Sequence, residues 1–106
     1  MSDHCLVLST VATAEDGERL ARTLVEQRVA ACVNVVPGVT SFYRWEGSVQ
    51  RDEERLLVIK TRTDRFSDLR NALVDLHPYE VPEVIALPIT GGHGPYLAWL
   101  DGSVSC

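Results

Sequence analysis

Between Leu76 and Glu83 the chain reads LHPYEVPE, setting an imidazole, a phenol and two carboxylates within eight positions. An imidazole can carry protons or ligate borderline metals, and a neighbouring carboxylate supports either role. Pro78 disfavours helical geometry at the residue before it, so His77 is turned out of the preceding helix and its ring can face a cleft beside Tyr79 and Glu83. The same ring could instead cap the negative end of the helix dipole. Cys32, in AACVNVV, would add a soft donor if its strand face met His77 in the fold or across an interface; a lone cysteine flanked by alanine and valine is more often a small core residue. His77, Cys32 and Glu83 are the candidate metal ligands.

Lys60 is the only lysine beside nine arginines, and it follows the apolar run LLVI on the same strand face as Leu56 and Val58. A half-buried ammonium needs a carboxylate or an anionic ligand, unless it snorkels to water from the strand end. In the first case Lys60 is a point charge for a small anion, with Trp45 and Trp99 as apolar walls. A separate possibility opens if Met1 is removed. Ser2, Asp3 and His4 would then offer an α-amine, two backbone nitrogens and a third-position imidazole, the square-planar set that Cu(II) and Ni(II) prefer.

Catalytic signatures are missing. There is no Gly-x-Ser-x-Gly, phosphate-binding glycine loop or His-Glu-x-x-His, and TGGHGPY (90–96) has glycines without the spacing of a phosphate cradle. A nucleophile pair of Cys32 and His77 lacks an orienting third residue. The expectation is a protein that is not an enzyme and has no obligatory cofactor.

The elements that must position these groups follow from periodicity. His4 to Thr10 is a short apolar strand, and Thr13 caps a helix carrying Leu20, Ala21, Leu24 and Val25. Ala30 to Val36 alternates with period two, bends at Pro37-Gly38 and resumes through Trp45, with Glu46-Gly47 at a hairpin tip. The return strand runs from about Val49 to Thr61. A second helix starts at Asp64, carries Phe66, Leu69, Leu73 and Leu76 inward, and stops at Pro78. Val84 to Ile89 is a last strand, and a short helix after Pro95 holds Tyr96, Trp99 and Leu100. This order predicts an α+β fold, a ferredoxin-like split βαβ sandwich (βαββαβ plus a C-terminal helix), as one domain over 1–106.

A hairpin of about thirteen residues per arm outreaches a typical strand and carries Phe42, Tyr43 and Trp45 near its tip. One small domain cannot bury all of that, so the hairpin points to a symmetric oligomer. Apolar residues make up 45% and charged residues 24% of 106 residues, which suits one packed core. The net charge of -5 offers no basic patch for nucleic acid. Cys5-Leu6-Val7-Leu8 is too short to span a membrane and no cationic leader precedes it, so the expected location is cytoplasmic. Three widely spaced cysteines make reduced thiols the default.

Taken in order, AACVNVVPGVTSFYRWEG, EERLLVIKTRT, LHPYEVPEVIALPI and YLAWL resemble the CutA divalent-cation-tolerance family over nearly the whole chain. The resemblance implies a tight homotrimer interlocked by the hairpins, similar to PII-type signalling trimers, and a link to copper or a similar divalent metal. It also implies that Tyr43, Trp45, Lys60, Thr61, Tyr79 and Trp99 line clefts between subunits. Some members place Cys-Thr at the end of the first strand and His-His-Pro-Tyr after the second helix, where this chain has Ser9-Thr10 and Leu76-His77. The partners so implied are a second and third copy of the chain and a divalent metal ion; a small anion or a docked protein partner remains the alternative.

Overall fold

The computed structural model describes residues 2–105. Strand β1 (His4–Val11) is buried at every second residue, because its side chains alternate between two environments. Cys5, Val7, Ser9 and Val11 face a helical layer, while His4, Leu6, Leu8 and Thr10 face the other side. Helix α1 (Ala14–Glu26) starts where Thr13 Oγ1 accepts the backbone N–H of Asp16 at 3.1 Å, with Glu15 and Asp16 complementing the dipole.

Strands β2 (Cys32–Trp45) and β3 (Ser48–Arg62) form the long antiparallel hairpin. Its register breaks between Val36 and Val39, beside Gly38 at φ +76°. Pro37 and Gly38 thus bulge the strand without ending it. At the tip, Glu46 and Gly47 both have positive φ, as a two-residue turn matched to strand twist requires. A 3₁₀ turn over Thr63–Arg65 precedes helix α2 (Phe66–Leu76), so the regular helix begins later than Asp64. His77 is extended (φ -75°, ψ 135°), as the following proline demands.

Strand β4 (Ile85–Pro88) is shorter than the expected Val84 to Ile89. Prolines 82 and 88 bring no backbone N–H to a ladder, which confines the pairing to Cys5–Leu8 of β1. Helix α3 (Gly94–Ser103) has Pro95 in its first turn. The sheet order is β2-β3-β1-β4 with every neighbour antiparallel, the ferredoxin-like βαββαβ arrangement followed by a terminal helix.

The core lies between α1, α2 and one sheet face. Leu20, Leu24, Leu69 and Leu73 meet Val7, Val11, Leu57 and Ile59, all with no exposed surface. Helix α1 comes so near the sheet at Gly17 that a Cβ there would lie 3.2 Å from Val35 Cγ1 and 3.3 Å from Val11 Cγ2. On the other face, α3 covers the His4 end: Leu100 and Val104 are buried with Ala31, and His4 Nε2 lies 2.8 Å from Asp101 Oδ1. The rest of that face keeps Val36, Ile85 and Leu87 at 40–51% exposure. Phe42, opposite Arg51, and Val49, opposite Arg44, share the Leu57 face instead and stand out on the hairpin at 67% and 65% exposure.

Replacing Thr13 with alanine removes the α1 cap while leaving the core intact. The expected loss is about 1 kcal/mol of stability, read as a lower denaturant midpoint with an unchanged slope; an unchanged midpoint would show that the cap contributes nothing.

Candidate functional site

A cavity of about 720 Å³ opens between the hairpin, the end of β1 and the segment after α2. Phe42, Tyr43 and Trp45 wall it from β2; Asp52, Glu53 and Glu54 enter from β3, and Tyr79, Glu80 and Glu83 from the segment after α2. Among the described residues no lysine, arginine or histidine lines it. Asp52 and Glu54 recur at period two on β3, so the strand itself aims both toward the same side.

Two phenols organise two of these carboxylates. Tyr79 Oη donates to Glu54 Oε2 at 2.6 Å, and Tyr43 Oη donates to Asp52. Glu54 is only 7% exposed, and no basic side chain pairs with it among the described residues. A carboxylate so buried is costly unless hydrogen-bonded or paired, and a neutral phenol orients it without cancelling its charge. Burial and the Glu54 carboxylate push the Tyr79 phenol well above its ordinary value of 10.0. The hydrogen bond to Asp52 pushes Tyr43 upward as well.

His77 occupies a different role from the one its motif suggested. It is 7% exposed; its Nε2 lies 2.8 Å from the Thr10 carbonyl, and its Nδ1 accepts the Tyr79 backbone N–H at 3.1 Å. A carbonyl can only accept and an N–H can only donate, so the ring is the neutral Nε2–H tautomer with no lone pair left for a metal. Its ring lies 4.6 Å from that of Tyr79, so His77 props the tyrosine that holds Glu54.

Within one copy of the chain the expected metal trio of His77, Cys32 and Glu83 is not assembled. Cys32 pairs with Lys60 and Lys60 with Leu6, whereas His77 holds Thr10, so the two lie about 13 Å apart along the strands and two strands across. Among the described residues, no three His, Cys, Asp or Glu side chains gather as a metal-holding group. Of the expected cleft residues, Tyr43, Trp45, Tyr79 and Glu83 do meet around one cavity. Lys60 does not join them; its Nζ donates to Asn34 Oδ1 and lies 4.0 Å from Cys32 Sγ. Thr61 faces the core, with Oγ1 donating to the Val29 carbonyl at 2.7 Å, and Trp99 stacks on Tyr96 along α3.

At the start of the chain, Met1 lies outside the described residues. The Ser2 and Asp3 carbonyls accept from Thr63, the His4 carbonyl from Ile89, and the His4 ring is tied to Asp101. The residues that periodicity overlooked are Asp52, Glu53, Glu54 and Glu80. The alternation that buries Val58 and Leu56 half-way continues to Glu54, which was a readable signal that this carboxylate shares their face.

Comparison with known proteins gives a consistent result. A family model described as CutA1 divalent ion tolerance protein matches residues 5–103. The chain is 53% identical over 95 residues to the divalent-cation tolerance protein CutA of Thermus thermophilus, covering 90% of this chain and 92% of that one. It is 52% identical over 98 residues to the chloroplastic protein CutA of Arabidopsis thaliana, covering 92% of this chain but only 54% of the plant protein. Among solved structures, Cut A1 from Thermus thermophilus superposes with a TM-score of 0.93 at 49% identity, over 96% of this chain and 99% of that one. CutA1 from Oryza sativa gives 0.95 at 48% identity, over 98% and 95%.

The Tyr79–Glu54 pair makes an alkaline prediction. A phenol whose ionisation is raised in the folded state contributes stability that is full below 10 and fades as pH rises through the folded value. In a spectrophotometric tyrosine titration of folded protein, Tyr79→Phe is expected to remove the latest-ionising step. Loss of an ordinary step near pH 10 instead would show that the phenol is not held by Glu54.

Proposed function

The chain belongs to the CutA1 divalent ion tolerance family, and from that membership we propose that it serves divalent-cation tolerance without catalysis, as a homotrimer that holds a divalent cation against the carboxylates of its cleft. The observation that carries this reading is the buried Glu54, oriented by a neutral phenol in a cavity lined by five carboxylates and no basic group. Such a site attracts cations and repels anions.

Carboxylate and phenol oxygens suit Mn(II), Mg(II) and Cu(II) more than soft monovalent copper. Within one copy these donors do not close around an ion, so the proposed site is shared between subunits. The overhanging hairpin supports that sharing. Strand β2 is a sheet edge of 14 residues whose outer half exposes apolar side chains, and its neighbours across the sheet leave Ile85 and Leu87 uncovered. A second copy covers such a surface with matching chemistry and closes the edge, whereas a free edge of this length would invite uncontrolled pairing.

A second reading, a PII-like sensor of a small anion, draws on one feature: Lys60 is half-buried and forms no ion pair among the described residues. Its measure is the thermal shift produced by inorganic phosphate. A shift abolished by Lys60→Ala would favour it, and an identical shift in both proteins would dismiss it.

The test of the main reading is calorimetric titration of untagged protein with Mn(II) and with Cu(II), beside Glu54→Gln and Glu83→Gln, with light scattering on each sample. The expected result is a particle of three chains in every case and a cation affinity weakened about 10-fold or more by Glu54→Gln. Equal affinities in all three proteins would overturn the cleft assignment, and a particle of one chain would overturn the assembly.

A further inference from the structure

The register of the hairpin sets Cys32 directly opposite Lys60, on the sheet face away from α1 and α2. Directly opposed residues hold their Cβ atoms about 5 Å apart, so the pairing is a property of the backbone. The side chains follow it, with Sγ and Nζ 4.0 Å apart. Cys32 is a free thiol of intermediate burial, and Lys60 is the only side-chain amine in the chain. Nζ makes no ion pair among the described residues, and its hydrogen bond to Asn34 Oδ1 keeps it on the same face as the sulfur.

We propose that Cys32 and Lys60 form a reversible sulfenamide cross-link when the protein meets a hydroperoxide. In the first step the Cys32 sulfur attacks one peroxide oxygen. A sulfur–oxygen bond forms, the oxygen–oxygen bond breaks, and sulfur gives two electrons to the peroxide, leaving a sulfenic acid and an alcohol or water. In the second step Lys60 Nζ, having released its ammonium proton to solvent, attacks that sulfur. The sulfur–nitrogen bond forms, the sulfur–oxygen bond breaks, and the departing hydroxide leaves with the second amine proton as water. The protein loses two hydrogens in total. Added thiol reverses the link by attacking sulfur, expelling the amine, and passing through a mixed disulfide to free Cys32.

The geometry selects this pair over the other nucleophiles described. Cys5 is 4% exposed on the opposite face of the sheet, and burial pushes its thiol up, so it neither competes for oxidant nor reaches Cys32 for a disulfide. Holding amine and sulfur on directly opposed residues, 4.0 Å apart, makes their condensation effectively intramolecular, which lets it outrun further oxidation of the sulfenic acid. The product ties β2 to β3 at the root of the long hairpin and removes the charge of the sole lysine. This inference is independent of the cation cleft, which shares no residue with it.

The experiment treats untagged protein carrying Cys106→Ser with hydrogen peroxide, then digests it with an arginine-specific protease and reads the peptides without reductant. Cleavage puts Cys32 in residues 29–44 and Lys60 in residues 56–62. The expected product joins those two peptides at their summed mass less two hydrogens, separates on adding dithiothreitol, and forms at least about 10-fold less in urea-unfolded chain. Lys60→Arg, which keeps the cation, is expected to give no link and to drive Cys32 to sulfinic acid instead. Separate peptides in the folded wild type, or an equal yield of link in urea, would overturn the proposal.

Discussion

The antiparallel ladder between β1 and β3 is the constraint on which the rest depends. With Thr10 opposite Leu56 and Leu6 opposite Lys60, every second residue on each strand is committed to the helical layer and its neighbours to the other face. Shifting β3 by one residue would turn Leu57 and Ile59 away from the helices and Glu54 and Lys60 into the leucines of α1 and α2. Burial of those side chains therefore fixes the register. The register in turn fixes the chemistry: along one face of β3 it lays a carboxylate at Glu54 and an ammonium at Lys60, about 20 Å apart. The cleft and the cysteine–lysine pair are separate because the strand is long.

That length has a second consequence. A sheet of four strands could be finished with strands of five or six residues, yet β2 and β3 run to 14 and 15. The inner half is ordered by burying Leu57 and Ile59 with Val33 packed against them, while the outer half, from Val39 to Trp45, is laddered to β3 and stays largely exposed. Its aromatic side chains and the carboxylates opposite them form one wall of the cleft. The cleft wall and the exposed aromatic side chains thus lie on the same segment, so the proposed cation site and the proposed assembly share it.

Much of this fold is legible in local pattern, because the signals involved span only a few residues. Thr13 and Asp16 announce a helix start, Pro78 announces a stop, and Glu46-Gly47 announces a two-residue turn. The shortfalls have equally local causes. The 3₁₀ turn at Thr63–Arg65 satisfies the same spacing as a first helical turn, and β4 contracts because proline withholds a donor from its ladder. The site was less legible. Tyr79 and Glu54 are 25 positions apart in the chain and meet only after the hairpin and α2 have folded onto β1. Local reading of LHPYEVPE could assign chemistry to His77 but could not see that Thr10 would occupy its ring.

His77 shows why residue type alone misleads at such a site. An imidazole with one nitrogen on a backbone carbonyl and the other on a backbone N–H is a strut, because any metal would have to displace a hydrogen bond in a nearly dry environment. The strut is still functional at one remove. It fixes the backbone at Tyr79, and Tyr79 fixes Glu54 while donating no charge to neutralise it. An arginine in place of that tyrosine would hold the carboxylate as firmly and cancel its field. Neutral donors keep the cleft both ordered and negative, the combination that a binder of cations requires and that a merely structural ion pair would abolish.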